Sequence, residues 1–304
     1  MDVDYESARW AQSCPGVVWC ESVDGLVQAI EDGHFDVEVG GEQPPDLLLQ
    51  AVTEAAPRLL SLSLCGCNLD AASLVQLGRA LAPSQLRGIG VSNNPGLDVQ
   101  TWAGFWEQLP RSILKWDFGD DALPDEALPV LVRAVGRGSS VEELFLDGND
   151  FEDIGPLLPV VSATSGLSEL DLGDNDLTDA QVSALAAALP GSCLRTLVLG
   201  RNPITDASVV PLVGVLSQTS VRSLYLDSTR VTDATLDAIA SVLPSTQLEE
   251  LHVDETQVQD AGVLRLCRVL AASKLKVFDA SDNNLSEDAL TAIEAVLPAD
   301  VQLE

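Results

Sequence analysis

The amino-acid sequence predicts an α/β solenoid, with one short strand and one helix repeating along the chain. The strands would form a parallel sheet on a concave face, and the helices would cover a convex one. Three observations carry this expectation. Apolar residues recur in a fixed template at a spacing of 27 residues. Within each period their spacing changes from two to three-and-four, which is the change from strand to helix. The chain can also fill a core, because hydrophobic residues make up 46% of its 304 positions although aromatics are only 4%.

The template is L-x-x-L-x-L-x-x-N-x-L. Its clearest copies are Leu167, Leu170, Leu172, Asn175, Leu177 and Leu194, Leu197, Leu199, Asn202, Ile204. Three more follow in step from Val221, Leu248 and Leu275. Upstream the match is looser, in copies that begin at Leu59, Leu86, Ile113 and Val141, which makes nine in all. Phe35 and Val37 suggest a degenerate tenth at the front. The central L-x-L of each copy reads as a strand whose apolar residues point one way.

A helical face follows each strand, as in Val182, Leu185, Leu189 and Val209, Leu212, Leu216. Thr178-Asp179, Thr205-Asp206, Thr232-Asp233 and Ser286-Glu287 suit helix N-termini, where a hydroxyl caps and an acid meets the positive end of the dipole. Asp179, Asp206, Asp233 and Asp260 are therefore assigned to capping rather than to binding. Proline at 190, 244 and 298 stops the helices. A single strand–helix pair cannot bury both of its faces, so neighbours must stack. The asparagine at template position nine would satisfy backbone groups at the turn after the strand, with Cys67, Thr229 and Thr256 as smaller substitutes.

Residues 1–32 lie outside the clear period. Trp10, Val17, Val18 and Trp19, followed by Val23, Leu26, Val27 and Ile30, are expected to form an N-terminal cap over the first open sheet edge. Residues 33–304 then form one repeat domain. Val301 and Leu303 fall where a further strand would begin. Trp102, Phe105 and Trp106 occupy the helix slot of the second copy, either as core filling or as an exposed aromatic patch.

These nine copies resemble the leucine-rich repeat superfamily, in particular its ribonuclease-inhibitor-like class with long repeats. The resemblance covers roughly residues 33–304 and implies a right-handed horseshoe. It also gives cysteine at position nine the same structural part as asparagine.

In that architecture template positions five, seven and eight face outward from the sheet. Ten of these 27 positions are acidic, a share more than twice that of the whole chain. The expected partner-binding residues are Asp117, Asp120, Phe145, Asp147, Asp171, Asp174, Arg201, Tyr225, Asp227, His252, Asp254, Glu255, Asp279 and Asp282. Phe145, Tyr225 and Val198 would be apolar anchors in an electrostatic trough that steers a basic protein. The competing reading is an acidic chain whose solvated strand residues are simply polar.

Charge narrows the partner classes further. With 47 acidic and 16 basic residues the chain carries −31, which repels nucleic acid and anionic membranes. No apolar run reaches the length of a membrane span, and the first residues lack the pattern of a secretory signal. Cysteines 14, 20, 65, 67, 193 and 267 are read as free thiols in a reducing compartment, the cytoplasm or the nucleus. Two histidines, His34 and His252, leave no sequence support for a catalytic triad or a zinc site. Neither a cofactor nor an enzymatic activity is expected. Two alternatives remain beside the interaction module: a rigid scaffold subunit, and a GTPase-activating regulator of the Ran type. That second alternative is implied by the shared repeat class, with Arg201 supplying the charge-stabilising group.

Overall fold

The computed structural model describes residues 16–137, 141–162, 166–296 and 302–303. Contacts divide the chain into two units, Met1–Asn149 and Asp150–Glu304. Both are built from the same strand–turn–helix module, so each is an α/β repeat solenoid.

In the first unit the strands are β1 (Val18–Cys20), β2 (Asp36–Gly40), β3 (Ser61–Cys65), β4 (Gly88–Ser92), β5 (Lys115–Asp117) and β6 (Glu143–Phe145). They pair in parallel in chain order. Helices α1 (Val23–Glu31), α2 (Pro45–Ala55), α3 (Ala71–Leu81), α4 (Val99–Gln108) and α5 (Leu128–Val135) alternate with them. Val18 lies opposite Val37, which lies opposite Leu62, so the predicted cap segment adds a strand in register with the repeats. Trp10 lies outside the described residues. Trp102, Phe105 and Trp106 are buried core. They gather around Phe118, with ring centroids 5.5 to 6.4 Å from it.

In the second unit the strands are β7 (Glu169–Asp171), β8 (Thr196–Val198), β9 (Ser223–Tyr225), β10 (Glu250–His252), β11 (Val277–Asp279) and β12 (Gln302–Leu303). Again each pairs in parallel with the next. Leu170, Leu197, Leu224, Leu251, Phe278 and Leu303 form one row across this ladder. Its helices are α6 (Leu158–Val161), α7 (Asp179–Ala188), α8 (Asp206–Val215), α9 (Asp233–Val242), α10 (Asp260–Cys267) and α11 (Glu287–Val296). Val301 lies outside the described residues. Leu170, Leu197, Leu224 and Leu251 are buried together with the helical triplets Val182, Leu185, Leu189 and Val209, Leu212, Leu216, each side chain adding roughly 1.5–3 kcal/mol. No described helix is long and apolar enough to cross a membrane.

Three features recur from repeat to repeat, and the first two are side-chain ladders that hold neighbours together. The first is the position-nine asparagine. Asn202 Nδ2 donates to the carbonyls of Leu172, Leu199 and Gly200, and its Oδ1 accepts from the Leu177 amide. Asn94, Asn149, Asn175 and Asn283 repeat this pattern of turn carbonyls and an upstream amide. Thr229 and Thr256 reach the carbonyl three residues back, and the Cys67 thiol reaches Val39. Asp121 takes this place in the third copy. Its Oδ1 accepts from the Asn94 amide, while Oδ2 is buried with no hydrogen-bond partner. Burial drives its carboxyl well above the ordinary range, the Asn94 amide works against this, and the Asp117 and Asp120 carboxylates add to the rise.

The second ladder corrects the role expected for the helix-start acids. Each clasps the following repeat instead of capping only its own helix. Asp179 accepts from the amide and hydroxyl of Thr205 and from the Ser208 hydroxyl. Asp206 does the same for Thr232 and Thr235, and Asp260 for Ser286. Asp233 accepts from the Gln259 amide. The Thr205 and Thr232 hydroxyls meanwhile cap their own helices.

The third feature is conformational. The position-eight residue of all nine copies has a left-handed backbone, with φ from +49° to +61°. Gly66 and Gly148 adopt it freely. Asn93, Asp120, Asp174 and Asp282 belong to the residue types that tolerate it best. Arg201, Ser228 and Glu255 adopt it as well.

Candidate functional site

The sheet face opposite the helices carries the outward template positions, and each unit presents its own set. In the first unit Asp117, Asp120 and Asp147 are half-buried. Asp117 Oδ1 accepts from the Gly119 amide at 3.3 Å, and the Asp147 carboxylate lies against Gly119. Phe145 is not an exposed anchor. It is 4% exposed, and the Lys115 ammonium sits 4.9 Å from its ring centroid. Among the described residues, the exposed aromatic of this unit is Trp19, on β1 opposite Glu38, with its ring packed over Gly40. The frame Val18-Trp19-Cys20 carries the signal, since it places Trp19 between two inward positions.

In the second unit Asp171 and Val198 are likewise closed off, at 1% and 8% exposure. These two face each other across β7 and β8, and Asp171 Oδ1 accepts from the Gly173 amide at 2.9 Å. Alternation along a strand says only that such residues point away from the helices. Neighbours one repeat along determine whether water reaches them. Asp174 and Arg201 are exposed, and the backbone amide of Arg201 donates to the Asp227 carbonyl at 2.8 Å.

Further along, the remaining residues converge. Tyr225 on β9 and His252 on β10 stack, with ring centroids 4.3 Å apart and planes 10° from parallel. The Tyr225 hydroxyl and the Ser223 hydroxyl both donate to Glu250 Oε2. His252 Nδ1 lies 3.6 Å from Asp279 Oδ2, and Asp279 Oδ1 accepts from the Ser281 amide at 2.9 Å. Asp254 stands beside them, its carboxyl pushed up to about 6 by burial and then by the Asp279 and Asp227 carboxylates. Tyr225, Asp227, His252, Asp254 and Asp279 are all half-buried, so this cluster remains open to solvent. Glu255 and Asp282 are exposed at its rim, and Glu255 accepts from the Ser228 hydroxyl at 2.6 Å. Chemically the site offers a flat aromatic pair ringed by carboxylates, suited to cationic or polar groups that also stack.

Not all of this acidity is aimed at a ligand. The position-five carboxylates of Asp117, Asp171 and Asp279 each satisfy the amide two residues on. Asp227 lies across Gly200, where any side chain would overlap it. Part of the acidic enrichment therefore follows from backbone requirements of the turn.

Comparison with known proteins agrees with this architecture. A family model described as a leucine-rich repeat matches residues 167–186 and 192–213. No curated protein matches the chain by sequence. Among solved structures, the yeast complex of Rad7 and Elc1 contains a similar chain. The two are 18% identical with a TM-score of 0.62, over 89% of this chain and 66% of that one. An internalin from Listeria monocytogenes is similar at 18% identity and a TM-score of 0.50, over 89% and 72% of the two chains. Two repeats fit the family's own model, and the same module with its position-nine ladder recurs through both units, so the fold is that of a leucine-rich repeat solenoid.

Proposed function

We propose that the chain is a non-catalytic protein-binding module that uses the helix-free sheet face of its second unit. The stacked Tyr225–His252 pair forms the contact centre, and the carboxylates of Asp227, Asp254, Asp279, Glu255 and Asp282 select a partner with a basic surface. One observation carries the reading: a solvent-open aromatic stack, ringed by acids, on the sheet face turned away from the described helices. Aromatic side chains with restrained rings dominate binding energy at such centres, and complementary charge speeds encounter. The similarity to a chain solved within the complex of Rad7 and Elc1 supports a protein-binding use of this fold. The charge of −31 disfavours nucleic acid and anionic membranes as competitors.

The test is affinity capture followed by kinetics on the captured protein. Tyr225→Ala combined with Asp254→Lys should lose that partner while keeping the folded circular-dichroism spectrum, and the wild-type on-rate should fall steeply with salt. Asp171→Lys is unsuited to this purpose, because Asp171 is buried and would report on folding. A partner retained by the double variant, with a salt-independent on-rate, would sink the proposal.

A further inference from the structure

We infer that His252, Asp254 and Asp279 form a binding site for a first-row transition-metal dication, with Zn²⁺ as the best fit. The sequence offers no such site, because its two histidines stand in no ligand spacing. Stacking of repeats creates one. His252 and Asp254 occupy positions five and seven of one copy, and Asp279 occupies position five of the next. One ligand atom from each lies within 4.8 Å of the others.

Zinc ligands sit about 2.0–2.2 Å from the metal, so donors on a tetrahedral ion stand roughly 3.3 Å apart. His252 Nδ1 and Asp279 Oδ2 are already at 3.6 Å. The Asp254 oxygen lies within 4.8 Å of both, so it has to close by at most about 1.5 Å to share the same shell. The imidazole decides the class of ion, since calcium and magnesium take oxygen ligands whereas imidazole suits zinc, copper and nickel. Three protein donors on an open face leave the fourth position to water or to a group from a partner.

The surroundings are those of a supported ligand set. The imidazole is held by the Tyr225 ring, which is itself fixed through its hydroxyl to Glu250. The Asp279 carboxylate is fixed through its other oxygen by the Ser281 amide. This leaves Oδ2 turned toward His252. Such outer contacts orient ligands and strengthen binding. Among the described residues no lysine or arginine forms an ion pair with Asp254 or Asp279. A dication would supply the missing positive charge. The inference does not depend on the face binding a protein.

Isothermal titration of the whole chain with Zn²⁺ alone is the test, repeated with Co²⁺ to read visible d–d absorption. One saturable equivalent is expected, weakened more than about tenfold in His252→Ala and in Asp279→Asn. Asp176→Asn, an exposed acid outside both the ligand set and the partner-binding face, should bind like wild type. Circular dichroism of each variant separates ligand loss from unfolding. Absence of saturable binding would overturn the inference. So would a stoichiometry and affinity unchanged in His252→Ala, which would place the ion on thiols or on diffuse surface acids.

Discussion

Asp206 holds Thr232 with both carboxylate oxygens, accepting its backbone amide at 3.0 Å and its hydroxyl at 2.7 Å from 26 residues upstream. Burial alone would raise the Asp206 carboxyl, but the hydrogen bonds from Thr235 and Thr232 outweigh it and the net shift is downward. A carboxyl lowered on folding stabilises the native state above its unfolded value near 3.9 and loses that contribution as pH falls through the folded value. Asp206→Ala should therefore cost about 1–2 kcal/mol at neutral pH. In urea titrations the gap to wild type should close at pH values below about 3.9.

Asp121 runs the opposite way. Its buried carboxyl is raised on folding, so it destabilises the native state as pH rises above the ordinary aspartate value. Asp121→Asn restores the donor present at the same position in Asn149 and Asn175. The variant should be more stable than wild type by about 1–3 kcal/mol at pH 7. Its advantage should vanish near pH 3.5 if the unfolded group titrates at about 3.9. Chemical denaturation at the two pH values measures both.

The left-handed position supplies a steric prediction. Arg201 has φ of +56° and an exposed side chain. Arg201→Gly should preserve or raise stability. Arg201→Val should lower it by about 1–2 kcal/mol, because a branched Cβ crowds the backbone there. Equal melting temperatures for the two variants would refute this account of the column.

Thiol reactivity should follow burial. Cys193 is exposed, whereas Cys20, Cys65, Cys67 and Cys267 are buried. Burial, with the neighbouring Cys65, pushes the Cys67 thiol up to about 12, and burial pushes Cys267 up to about 11. Under native conditions maleimide should label Cys193 within minutes and leave Cys20, Cys65, Cys67 and Cys267 until the chain is unfolded, as read by peptide mass spectrometry; Cys14 lies outside the described residues.

The period was legible because burial is periodic. Leu170, Leu197, Leu224 and Leu251 announce their row by spacing alone, and Asn175 and Asn202 announce their ladder. Contacts between repeats were less visible. The sequence marks Asp206 as an acid at a helix start, but its partner is Thr232, a whole repeat away. Asp174 and Glu255 read as surface charge, yet they stand where the backbone turns left-handed. Phe145 and Asp171 have the alternation of outward residues, and only their neighbours reveal that they are closed off. His252, Asp254 and Asp279 meet for the same reason, since a solenoid makes neighbours of residues 27 apart.

The clasp that runs from each helix start to the next also gives the array a sense of direction. Duplicating residues 206–232 in tandem would insert a new donor and a new acceptor in phase, so an elongated chain should fold with its seams intact. An insert one residue longer or shorter would put the hydroxyl at that one seam out of reach of its carboxylate, and the lengthened protein should part at that junction.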